Sequence, residues 1–107
     1  MHITSDKVAE IIILARELDR AEAEFDGFIR RLNIEEQAAL VALFWIGRGS
    51  FDATDYDEAY ATAQAEATAP TESYLKGSPH LADHLESGLE AMGISATEAE
   101  DDLLPPV

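Results

Sequence analysis

Apolar residues return every three or four positions along most of this chain, and no pair of alternating runs is joined by hairpin-turn residues. The pattern predicts helices throughout. Thr4-Ser5-Asp6 offers two cap candidates and a first-turn acid. Behind it, Val8, Ile11, Ile12, Ala15 and Leu18 form a buried stripe, and Ile13 and Leu14 widen it, so this helix is expected to be covered on two sides. Arg16 and Arg20 lie one turn apart on its polar side and suit ion pairing. Glu17 to Asp26 is polar and reads as a helix end plus a short link. Phe25, Phe28, Ile29 and Leu32 then make a brief second helix, its start weakened by Gly27.

Asn33, followed three residues later by Glu36, is a capping box with Asn in place of Ser or Thr. The helix it opens, about residues 35–48, carries Leu40, Val41, Leu43, Phe44, Trp45 and Ile46 in nearly every direction. A helix apolar all round belongs at the centre of the others. Trp45 is expected to serve that core, and Arg48 and Gly49 end the helix. Thr54 with Asp57 suggests the next cap. Tyr56, Ala59, Tyr60, Ala63 and Ala67 share one helical face, whose small side chains favour close packing, and Pro70 ends that helix.

Thr71 to Lys76 makes one or two turns. Gly77 suits a left-handed closing residue, Ser78 an N-cap, and Pro79 a first helical position where a missing N–H costs nothing. The last main helix runs from Pro79 to about Met92, burying Leu81, Leu85, Leu89 and Met92. Gly93 stops it, Ile94 folds back on it, and Ser95 with Glu98 caps one further turn. The expected architecture is all-α: a compact bundle of about five helices as one domain over residues 1–95, with a mobile acidic tail over 96–107.

Charge sharpens this picture. Seven Lys and Arg face 22 Asp and Glu, for a formal net charge of −15. Residues 1–48 hold six basic and nine acidic side chains; residues 49–107 hold Lys76 against thirteen acids. Such a surface repels nucleic acid and anionic membranes, since phosphate binding needs clustered Lys and Arg. It suits a protein partner with a basic patch, for which Asp52, Asp55, Asp57 and Glu58 are the candidate contacts. The bland reading of the same acids is a solvated surface. Cysteine is absent, so no disulfide framework or thiolate metal site is expected. The longest uncharged apolar run, residues 38–47, is about half of a membrane span, and no secretory leader is legible. A soluble cytoplasmic protein is the expectation.

Candidate chemistry is sparse. His80 and His84 stand four residues apart, a helical spacing that can place two imidazoles on one metal. With Asp83 the order is that of the inverted zinc-protease motif, Asp replacing its Glu, but no third ligand is selected by the sequence. Two histidines on a surface helix need no ligand to explain them. Gly47-Arg48-Gly49-Ser50 lacks the spacing and lysine of a phosphate loop. Asp52, Asp55, Asp57 and Glu58 also suggest a calcium loop, but Tyr56 and Asp57 occupy the region where an EF-hand needs glycine. No hydroxyl has a nucleophile-elbow setting, and no cofactor is implied.

Two stretches carry a family resemblance. Leu40-Val41-Ala42-Leu43-Phe44-Trp45-Ile46-Gly47-Arg48-Gly49 and the run from Tyr74 through Gly77-Ser78-Pro79-His80 to Leu89 are similar to a family of small proteobacterial proteins, the domain of unknown function numbered 3775. The likeness covers roughly residues 1–94, loosely between 19 and 27. It implies fold and location but brings no activity and no catalytic residues. Relatives often carry Leu and Tyr in place of His80 and His84, which counts against a metal site common to the family. The leading reading is therefore a non-catalytic interaction or regulatory module. A metal-binding protein or metal-dependent hydrolase using His80 and His84 is the second. A structural homodimer through the apolar face of the first helix is the third.

Overall fold

The computed structural model describes residues 1–67 and 69–93. Six α-helices follow in order: α1 Ser5–Arg16, α2 Leu18–Arg30, α3 Ile34–Arg48, α4 Tyr56–Ala65, α5 Thr71–Lys76 and α6 Leu81–Ala91. A 3-10 turn, Ala53–Asp55, leads into α4, and no strand occurs among the described residues. The contact foreseen for Ile94, the cap at Ser95 and Glu98, and the tail over 96–107 lie outside the described residues.

The central helix is α3, where every residue from Ala38 to Ile46 is buried. Its start is the expected capping box: Asn33 Oδ1 accepts from the Glu36 N–H at 2.7 Å, and Glu36 Oε1 accepts from the Asn33 N–H at 3.0 Å. Gly49 ends it in the left-handed conformation, φ 90°. Helix α3 packs mainly on α6 and α4, α1 packs on α6 and α2, and α2 on α5.

The α3–α6 crossing is a backbone contact. A Cβ placed on Gly47 would stand 1.7 Å from the His84 carbonyl oxygen, and one on Gly88 would stand 2.2 Å from that of Leu43. Each helix thus presents a glycine to the other helix's backbone. No side chain can retract to make room there, so both positions require the missing Cβ.

Five expectations are corrected. Residues 17–26 are not a link: α2 begins at Leu18, one residue after α1. Leu18, Ala21, Phe25 and Ile29 keep helical spacing there, and Asp19, Arg20, Glu22 and Glu24 between them face solvent. The joint shows in Ala21, whose φ and ψ (−118°, 23°) leave the helical range. Second, Thr54 caps nothing, because the 3-10 turn feeds straight into α4, with the Asp55 N–H donating to the Asp52 carbonyl at 2.9 Å. Third, α4 stops at Ala65, and Pro70 stands instead at the N-cap position of α5.

Fourth, Gly77 is right-handed (φ −72°), and Ser78 and Pro79 belong to the turn that follows. His80 takes the left-handed conformation at φ 59° and precedes α6, which starts at Leu81. The left-handed residue comes three positions later than the glycine suggested, and the His80 carbonyl accepts the first α6 bond, from His84 N–H at 3.0 Å. Fifth, on α1, Val8, Ala9, Ile11 and Ile12 are buried, but Ile13 is 38% exposed, so the helix is covered on a narrower face than its sequence suggested.

Side-chain ties fasten the outer helices. Lys76 on α5 reaches Asp26 at 2.9 Å and Glu22 at 3.0 Å on α2. Arg30 approaches buried Glu72 at 3.6 Å, Lys7 pairs with Glu36, and Arg16 pairs with Glu86. Ahead of α1, the His2 ring stacks on Tyr60 with centroids 3.8 Å apart, and its Nδ1 lies 3.0 Å from the Tyr56 hydroxyl.

Candidate functional site

Opposite the α6 contact, α3 faces a groove of about 380 Å³ shared with the end of α4, the link to α5, and α5 itself. Ile34, Gln37, Ala38, Val41 and Trp45 form the α3 wall, and Thr71 and Tyr74 the α5 wall. The α4 end and the link contribute Ala63, Gln64, Glu66, Ala67, Ala69 and Pro70. The gap follows from side-chain size. Ala38, Ala63, Ala67 and Ala69 are too short to reach across, and no other helix among the described residues closes in.

Two hydrogen-bonded pairs bridge the walls. Trp45 Nε1–H donates to the Tyr74 hydroxyl at 2.8 Å, and Thr71 Oγ1–H donates to Gln37 Oε1 at 2.9 Å. The Gln37 amide nitrogen donates in turn to the Ile29 and Leu32 carbonyls at 3.2 and 3.0 Å. Gln37 therefore ties the end of α2 to the start of α5 across the base of α3. The indole itself is 8% exposed and stacks on Phe51 with centroids 5.7 Å apart. Trp45 serves the core as expected, and it also lines the groove. At the rim, Ile34 is 78% exposed and Tyr74 40%.

The histidine motif is held differently. His80 is solvent-exposed ahead of α6, with Nδ1 4.0 Å from Asp83 Oδ2. His84, one turn on, packs its ring edge-on to Phe44 with centroids 5.6 Å apart. Phe44 also carries the Arg48 guanidinium 5.0 Å over its ring and meets Tyr74 edge-on. Among the described residues, no group of three or more His, Cys, Asp or Glu side chains is placed to hold a metal ion.

The acids proposed for partner contact sit together in the chain. Asp52 precedes the 3-10 turn and Asp55 ends it, and Asp57 and Glu58 lie in the first turn of α4; all four are exposed. Elsewhere, charge is tied inward. The Lys7 ammonium and the Asn33 N–H hold the Glu36 carboxyl below its ordinary value, and hydrogen bonds to Asp26 and Glu22 push the Lys76 ammonium up. Burial pushes the Tyr56 phenol up.

Sequence reasoning named Trp45 but missed the groove. Tyr74, Gln37 and Glu66 belong to three separate segments, and only the packing assembles them. The one available signal was the helical face carrying Ala59, Ala63 and Ala67, read as a means of close packing.

The class these observations define is an all-α bundle built on a buried central helix, in which, among the described residues, no helix is long and apolar enough to cross a membrane. The family described as "Protein of unknown function (DUF3775)" matches residues 22–94, and the chain belongs to it. No curated protein and no solved structure matches. The match spans α3, α5 and α6 entirely, so both stretches that carry the resemblance fall within it. Those stretches meet in space through the Trp45–Tyr74 bond, the Phe44–His84 contact and the glycine crossing.

Proposed function

We propose that this chain is a small non-catalytic interaction module of the cytoplasm that docks a basic protein partner through Asp52, Asp55, Asp57 and Glu58. One observation carries the reading. All four carboxylates are exposed, and no Lys or Arg among the described residues pairs with any of them, whereas Lys7, Arg16, Arg30 and Lys76 all pair with other acids. The surface is thus left with a local excess of negative charge on a short, regular segment. A cluster fixed at a helix start loses little entropy on binding, whereas an unstructured acidic segment must be ordered first. The absence of cysteine suits a reducing compartment.

Affinity capture from an extract of the native cells at low salt tests this. At physiological salt the Debye length is about 8 Å, so complementary charge acts at short range and weakens with added salt. A bound basic protein should elute between low and moderate salt. Neutralising Asp52, Asp55, Asp57 and Glu58 to Asn and Gln should weaken capture more than deleting residues 96–107. Capture that survives both high salt and the four neutralisations would contradict the reading.

A further inference from the structure

The groove carries a second inference, independent of the acidic segment. We propose that it is a receptor site for a small organic ammonium ion, an apolar body of one or two rings bearing a protonated amine.

Size comes first. A volume of about 380 Å³ lies at the lower end of the range that takes small molecules. The walls are apolar and aromatic: Ala38, Val41 and Trp45 on α3, Tyr74 on α5, and short alanines at the α4 end and the link.

The polar groups decide the chemistry. Gln37 is committed at both ends of its amide, to Thr71 on one side and to the Ile29 and Leu32 carbonyls on the other. The Trp45 N–H is committed to the Tyr74 hydroxyl. What remains is the Tyr74 O–H, with Gln64 and Glu66 at the α4 end; among the described residues Glu66 is the one formally charged side chain in the lining, which holds no Lys, Arg or His. An anionic ligand would meet that carboxylate in a chain of net charge −15 with no cation in the groove to receive it. A neutral ligand would gain apolar contact and hydrogen bonds, but no attraction of charge. An ammonium ion gains all three available terms: the apolar walls, the Glu66 carboxylate, and attraction to the negatively polarised faces of aromatic rings, of which the wall holds two. The same charge disfavours a second copy of this chain as occupant, since two strongly acidic copies repel.

Three probes of matched shape test the site: phenethylamine, phenethyl alcohol and 3-phenylpropionate. Each is titrated into the full chain and followed by backbone-amide NMR shifts and by fluorescence of Trp45, the chain's one tryptophan. Phenethylamine should shift resonances of Trp45, Tyr74 and Gln64 and bind about tenfold more tightly than the alcohol, the size expected of one cation-specific interaction. The carboxylate should not saturate. Glu66→Gln should bring the amine close to the alcohol and leave the alcohol unchanged. Ala67→Phe, at an exposed position past the end of α4, should fill the groove and abolish binding of every probe while the melting temperature holds. No shift at groove residues with any probe would overturn the proposal. So would equal affinity for amine and carboxylate, or an amine affinity unmoved by Glu66→Gln. Amine shifts confined to Asp52, Asp55, Asp57 and Glu58 would overturn it too, while leaving the charged docking segment standing.

Discussion

The two sides of α3 are built from small residues with opposite results. Toward α6, Gly47 and Gly88 let two backbones touch, and not one methyl group fits between them. Toward α4 and α5, Ala38, Ala63, Ala67 and Ala69 leave a groove of about 380 Å³. The difference lies in what sets the spacing. On the α6 side glycine faces backbone, so the helices close until carbonyl meets Cα, where packing is tightest and leaves least tolerance. On the other side the Trp45–Tyr74 and Gln37–Thr71 bonds act as struts, holding α5 at the reach of their side chains. Small residues thus permit close approach but do not enforce it. Side chains that span the gap decide whether the space is used.

If that contrast is right, the largest losses lie at the crossing. Gly47→Ala and Gly88→Ala should each cost at least about 3 kcal/mol, the upper end of ordinary overpacking, because the clash is with backbone. Gly47 should be the worse, having the shorter contact. Urea unfolding followed by circular dichroism measures both. Next comes the strut on the open side. Trp45→Ala should cost about 3–5 kcal/mol, the range for deleting a large buried aromatic. Tyr74→Phe, which only strands the indole N–H, should cost about 1 kcal/mol. A Trp45→Ala loss below about 1 kcal/mol would mean that the ring does not belong to the core.

The charged ties are smaller and follow pH. Because Glu36 is held below its ordinary value, its contribution is complete above the unfolded pKa of 4.5 and disappears as pH falls through the lower folded value. Glu36→Gln keeps an acceptor for the capping box and removes the charge, so the acid limb of the stability profile should flatten. Lys76 behaves in the reverse sense. Raised above 10.5, it stabilises fully below that pH and ceases to do so as pH climbs through the folded value. Lys76→Met should therefore lower stability at neutral pH and flatten the alkaline limb. The smallest effect should be a gain. His80→Gly relieves a left-handed non-glycine residue, worth up to about 1 kcal/mol after the added chain entropy of glycine is subtracted. The same variant removes one half of the histidine pair, so metal analysis of the untagged protein before and after the change bears on His80, Asp83 and His84 together.

The parts of this fold legible in advance were those written in adjacent residues. The capping box at Asn33 and Glu36, the unbroken apolar run of α3 and the stop at Gly49 each depend on a few neighbours, and each stands as expected. The start of α6 was misplaced because Gly77-Ser78-Pro79 satisfies every local rule for a helix boundary, while the packing of Leu81 and Leu85 sets the actual start. The length of α2 was missed for a related reason: its first two turns are polar on the solvent side, and their few apolar residues count only once α1 is beside them. The groove was illegible because emptiness has no residue of its own. It arises where four alanines from three segments face one another, and no window along the chain contains them all.

The direct measurement compares one added methyl group on the closed side with three added carbons on the open side. Unfolding free energies of Gly88→Ala and Ala38→Leu, measured by urea titration with circular dichroism, should differ sharply. Gly88→Ala should lose at least about 3 kcal/mol, whereas Ala38→Leu, extending into the groove, should change stability by less than about 1 kcal/mol in either direction. A loss for Ala38→Leu that equals or exceeds that of Gly88→Ala would contradict the account, because α3 would then be closed on both sides and the groove would not be space a ligand can enter.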